Sequence, residues 1–242
     1  MKNLRIAISA VFGSMWIAAS PSAIAQAAPP SPATLFSLSG VYQSIPDGTT
    51  LPGGFRNSGS PEKISITPAA REQMKSVDLK DDSWKTCRPV GNFRMMARSG
   101  TVMEFLSAGN MFFLLFEDFT HGFMRKVYFG RTHEQRSTQT SDADIPRTKL
   151  TWFGDSIGRW ENDTIVIDTV DFNEDTWLND KGVPHSEAMH TVERIRPIRG
   201  GEALEYRMTV DDPQMLATPY AYVRYFKKID REIEDDNCVE EH

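Results

Sequence analysis

The chain has 242 residues, with 27 basic side chains against 33 acidic ones, and 40% of it is apolar. That acidic balance, without any basic run or arginine-rich patch, argues against nucleic acid as a partner. The apolar content is globular rather than membrane-like, and the length suits one domain or one large barrel.

Lys2 and Arg5 precede an apolar run from Ile6 to Ala19, which is short for a membrane span. Ala23-Ile24-Ala25 and Ala25-Gln26-Ala27 both fit a small-x-small cleavage site. Residues 1–27 therefore read as an export signal cut after Ala27, 28–39 as a flexible leader, and 40–242 as a single β-rich domain. No Cys follows the apolar run, so no lipid or other stable membrane anchor is expected, and the product is periplasmic or secreted. Cleavage leaves about 215 residues, with 25 basic and 33 acidic side chains once Lys2 and Arg5 are gone. Export would expose Cys87 and Cys238 to an oxidising compartment that permits a bridge; two separate thiols are the alternative.

Strand patterns dominate the remainder of the chain. Gly40 to Ser44 opens the series, and a Gly/Pro-rich loop runs from Pro46 to Pro61. The one clear helix spans Thr67 or Pro68 to Val77, with proline near its start and a polar, solvent-facing surface. Thr101 to Ser107 is the next strand. Met111 to Glu117 (MFFLLFE) is a continuous apolar run, as expected of a strand buried on both faces. Phe123 to Arg131 alternates, and Ser137 to Arg147 is a polar connection. Ser156 to Trp160 and Thr164 to Phe172 form a hairpin turning at Glu161-Asn162-Asp163. Ala188 to Ile198, Ala203 to Val210 and Tyr220 to Ile229 complete the set. Eight or more sequential strands with short turns favour an antiparallel meander. Closure into a barrel removes its edges, so the expected fold is mainly β: a single antiparallel, lipocalin-like barrel with one short helix. A two-sheet sandwich is the alternative.

Candidate chemistry gathers between Asp155 and Arg194. On an extended strand, His190, Val192 and Arg194 share one face and Thr191, Glu193 and Ile195 the other. If the first set lines the cavity, His190 is a base and Arg194 steadies a developing anion. Asp168 lies among apolar neighbours and needs a partner; paired to His190 it would orient the ring, paired to an arginine it is structural. His185, in the preceding turn, is either a second acid/base group or a capping residue. Arg125 and Arg131 share a face with Phe129, and Tyr128 adds a phenol; Trp160, Trp177 and Tyr222 supply flat surface for a small aromatic or hydrophobic ligand, or simply fill the core. The His185–His190–Glu193 spacing is not a metal pattern. With no phosphate loop, nucleophile elbow or dinucleotide fingerprint, neither cofactor nor metal is expected. A homodimer is left open.

The same segment resembles a family of exported, mostly uncharacterised bacterial proteins. The resemblance is carried by Ser156-Ile157-Gly158-Arg159-Trp160-Glu161, Asp163-Thr164, Asp168-Thr169, Phe172-Asn173, Thr176-Trp177-Leu178, Pro184-His185-Ser186, His190 and Glu193-Arg194. The ends CRPVGNFR and CVEEH are also similar. Upstream, the family pattern RxIYxDGRxHP appears as RKVYFGR over Arg125 to Arg131, then Thr132-His133; the Asp before Gly and the Pro after His are missing. The resemblance implies export and a β-rich single domain, and links some members to lyases that release formaldehyde from hydroxymethyl groups of lignin-derived dimers. The function expected on this basis is a cofactor-free carbon–carbon lyase acting on aromatic compounds. His190 would be its base, Arg194 and Arg125 its electrostatic clamp, and His185 or Tyr128 its acid. The alternative is a non-catalytic periplasmic binding barrel.

Overall fold

The computed structural model describes residues 38–59, 63–117, 122–135 and 150–234. The expected signal peptide, nearly all of the leader, the polar connection of 137–147 and Cys238 lie outside them. Cys87 is disulfide-bonded.

Nine strands close into one barrel, which excludes the sandwich. β1 (Gly40–Ser44) is followed by a small outlying hairpin, β2 (Thr50–Leu51) with β3 (Phe55–Arg56). The wall continues with β4 (Val102–Ala108), β5 (Met111–Glu117), β6 (Gly122–Phe129), β7 (Asp155–Glu161), β8 (Thr164–Val170), β9 (His190–Ile198), β10 (Ala203–Asp211) and β11 (Tyr220–Ile229). Strands β4 to β11 follow one another around the ring, and β1 closes it by pairing with both β11 and β4.

Nine is an odd number, and a closed ring of strands cannot alternate direction at every junction unless the number is even. One junction must be parallel, and it is β6 with β7, paired over just Val127–Ser156, Tyr128–Ile157 and Phe129–Gly158. The purely antiparallel expectation is corrected there. A parallel pair needs a crossover connection, and residues 130–154 supply it.

Inward-facing side chains alternate as the period of two requires. Phe112, Leu114 and Phe116 of β5, Ile165 and Ile167 of β8, and Leu204, Tyr206, Met208 and Val210 of β10 are buried in one core. Met111, Phe113 and Leu115 are half-buried, so β5 is not enclosed on both faces; its apolar outer residues imitate a two-sided strand in sequence. At Gly158, a Cβ would lie 2.7 Å from the Phe129 ring, so the short parallel junction depends on that missing side chain.

Helix α1 (Pro68–Gln73) starts where expected: the Thr67 hydroxyl accepts from the Ala70 N–H at 3.1 Å and proline occupies the first turn. A second helix, α2 (Gly91–Ala97), was not expected. It begins with glycine and has no side-chain cap, so it lacks the usual start signal. Burial holds it instead: Phe93, Met95 and Met96 join the core, and the Phe93 carbonyl accepts from the Tyr222 hydroxyl at 2.9 Å.

Candidate functional site

Two groups of charged side chains lie on opposite sides of the same wall. Inside, Arg125 and Glu193 are 1% and 0% exposed. Arg125 Nη1 and Nη2 donate to Glu193 Oε2 and Oε1 at 2.8 and 2.6 Å. The Tyr206 hydroxyl adds 2.8 Å and Asn92 Nδ2 3.1 Å to the same carboxylate. Arg125 also donates to Ser156 and Thr169. Burial, and then the Glu193 charge, push the Tyr206 hydroxyl well above its ordinary range, so it stays a donor. Arg125 is thereby neutralised within the protein and has no open charge for a ligand, contrary to its expected role as an electrostatic clamp.

Outside, the crossover brings His133 against β7 and β8. Its Nδ1 lies 2.9 Å from Asp155 Oδ2 and its Nε2 3.1 Å from Asp168 Oδ1. His190 Nε2 meets the same Asp168 oxygen at 3.1 Å, and Arg131 binds the other oxygen of Asp155. The result is an unbroken relay: Arg131, Asp155, His133, Asp168, His190. His133 faces a carboxylate from each ring nitrogen. His190 presents Nε2 to the Asp168 carboxylate, which orients the ring, and its side chain is 41% exposed. This is a base–orienter arrangement, built on the outer wall.

A cleft of about 370 Å³ opens beside the Arg131 end of the relay. Its cause is the short β6–β7 ladder. Among the described residues, Met124, Arg125 and Lys126 have no partner on β7, and the chain from Thr151 to Asp155 diverges from them. Met124, Tyr128 and Phe153 supply apolar wall, while Arg131 and Lys126 supply charge. The Arg131 guanidinium stacks 4.1 Å over the Tyr128 ring.

The expected site residues therefore separate. Tyr128, Arg131 and the buried Arg125 line the seam cleft, and Asp168 and His190 form the far end of the relay. Arg194 is elsewhere. It and His190 point outward while Thr191, Glu193 and Ile195 are buried, and four residues of strand span about 13 Å. Arg194 pairs with Glu161 at 2.8 Å, so the interior His190–Arg194 neighbourhood does not exist. His185 is 1% exposed, its Nε2 lies 2.8 Å from the Thr176 hydroxyl, and its ring is edge-on to Phe172; its enclosure suits a structural contact, not an acid serving a ligand. Phe129 and Tyr222 belong to the core. Trp160 packs against that core and Trp177 bridges to Pro184; neither lines the cleft. Sequence reasoning gives no role to His133, Asp155 or Glu193. The His133 position is visible in the RxIYxDGRxHP-like stretch, but its partners come from strands over 20 residues away.

No protein-family profile matches the chain, and no curated protein matches it. Solved structures resemble it in outline. A REP1-NXSQ fatty acid transporter aligns at 9% identity and TM-score 0.39, over 81% of this chain and 99% of that one. A zebrafish ileal bile acid-binding protein aligns at 13% and 0.37, over 80% and 99%. A secretory abundant heat soluble protein from Ramazzottius varieornatus aligns at 11% and 0.36, over 80% and 95%. At these TM-scores the likeness adds nothing beyond the barrel itself.

Proposed function

We propose that this chain is an exported small-molecule binding barrel that takes an aromatic or hydrophobic ligand at the seam between β6 and β7. The observation that carries this reading is the cleft itself: apolar Met124, Tyr128 and Phe153 beside Arg131, at the place where the wall is incompletely paired. Polar groups set beside apolar side chains in a concavity are what orient a small ligand. Titration of the mature protein with neutral aromatic dimers bearing hydroxymethyl groups, followed by tryptophan fluorescence, tests it. Met124 is 52% exposed, so Met124→Glu places a carboxylate on the apolar wall of the cleft without disturbing the core. Saturable binding weakened at least tenfold by Met124→Glu supports the seam; equal affinity in both proteins removes it.

A second reading, formaldehyde-releasing cleavage of such ligands, is favoured by one feature: the exposed His190 ring, oriented through Asp168. That reaction needs a ligand whose hydroxymethyl group reaches His190, at the opposite end of the relay from the cleft; there His190 takes the O–H proton, the C–C bond breaks as formaldehyde forms, and the electron pair left on carbon is reprotonated or expels a leaving oxygen. Formaldehyde release that vanishes in His190→Ala with binding retained supports it; binding without release leaves the carrier reading.

A further inference from the structure

A second, larger cleft of about 620 Å³ lies where the β2–β3 hairpin, the end of α2 and the Leu178–Asp180 turn meet, and no residue lines both clefts. At its edge Arg224 of β11 is 2% exposed. Its Nε donates to the Ala97 carbonyl at 2.9 Å, and its Nη1 to the carbonyls of Ser58, Gly59 and Val223 at 3.0, 3.1 and 3.1 Å. All four acceptors are neutral, and no carboxylate among the described residues pairs with Arg224. A buried charge without a counter-charge is costly. Among the described residues only carbonyl dipoles offset this charge, and Arg224 lines the cavity.

The other charges of the cleft are mostly of the same sign. The Arg98 guanidinium lies 3.4 Å over the Trp84 ring, and Arg56 and Lys63 stand exposed at the rim. Arg94 is held bidentately by Asp82 at 2.6 and 2.8 Å and so neutralised. Burial opposes ionisation of that carboxyl, yet Arg94 holds it below its ordinary range. Among the described lining residues, Arg56, Lys63 and Arg224 stand against two carboxylates, Asp47 and Asp180, while Arg98 is engaged by Trp84. Trp84 and Leu178 contribute apolar surface, and the volume suits a small organic ligand.

We infer that this cleft is a separate binding site for a small aromatic carboxylate, whose anion supplies the counter-charge to Arg224 while its ring lies against Trp84 and Leu178. Isothermal titration of the mature protein in a Met124→Glu background, where a carboxylate in the seam disfavours both an anion and an apolar ring, tests it with 2-naphthoate and the uncharged 2-naphthylmethanol. The expected result is one-site binding of naphthoate, at least tenfold tighter than the alcohol and weakened by added salt. Because Arg224→Gln risks the fold, the decisive variant is the exposed pair Arg56→Gln with Lys63→Gln, joined by Arg98→Gln; together they weaken naphthoate at least tenfold. Absence of naphthoate binding, equal affinity for the alcohol, or indifference to the three substitutions would overturn the site.

Discussion

Arg125 and Glu193 face each other inside the barrel through two parallel hydrogen bonds of 2.8 and 2.6 Å, with almost no exposure. One comes from β6 and the other from β9, 68 residues apart. Removing either leaves a buried charge that no other ion pair among the described residues balances. Glu193→Gln or Arg125→Met is expected to cost about 3–5 kcal/mol, measured by urea unfolding. Arg125→Met with Glu193→Leu should cost less than the sum of the singles, since no orphan charge remains.

The fold also depends on a side chain that is absent. Gly158 lets the Phe129 ring lie where a Cβ would be 2.7 Å away. Gly158→Ala must displace a buried aromatic at the weakest ladder of the barrel. The expected loss is about 1–3 kcal/mol, with a lower Tm in a thermal melt and a seam that binds its ligand less well.

His185 gives the protein a defined acid weakness. Burial lowers its affinity for a proton below the ordinary value of 6.5, although the Ser186 carbonyl and nearby carboxylates oppose this. The unfolded chain therefore binds that proton more readily than the folded one. Stability is unaffected by this group well above pH 6.5 and falls as pH drops below it, towards the lower folded value. Chemical denaturation across pH 7.5 to 5 should show the decline, and His185→Gln should flatten the part due to this residue while lowering stability at neutral pH through the lost Thr176 contact.

The outer relay should behave differently. Asp168 is 27% exposed, and its two histidine partners 20% and 41%. Solvent screens such groups, so Asp168→Asn is expected to change stability by less than about 1 kcal/mol. It should nonetheless alter the nitrogen chemical shifts of both His133 and His190, because one oxygen accepts from both rings. A change confined to one ring would rule out that shared acceptor.

Much of the barrel was legible in the chain. Leu204, Tyr206, Met208 and Val210 alternate cleanly and are all buried. Asn162, with φ of 57°, turns the hairpin where Glu161-Asn162-Asp163 indicates. Helix α2 was not legible, because its stability comes from Phe93, Met95 and Met96 meeting the core and not from local capping. The parallel junction was not legible either, since each strand looks the same whichever way its neighbour runs.

The candidate site divides along the same line. Sequence by itself determined that His190, Val192 and Arg194 share one face and Thr191, Glu193 and Ile195 the other, and that Asp168 and Thr169 point to opposite sides, because the strand repeat is two. It could not choose which face turns inward: a shift of one residue in register exchanges every side chain. Tertiary structure decided that by placing Arg125 opposite Glu193 within the core, leaving Asp168 and His190 on the outer wall for His133 to join. Closing nine strands then required one parallel junction, and with it the crossover that carries His133.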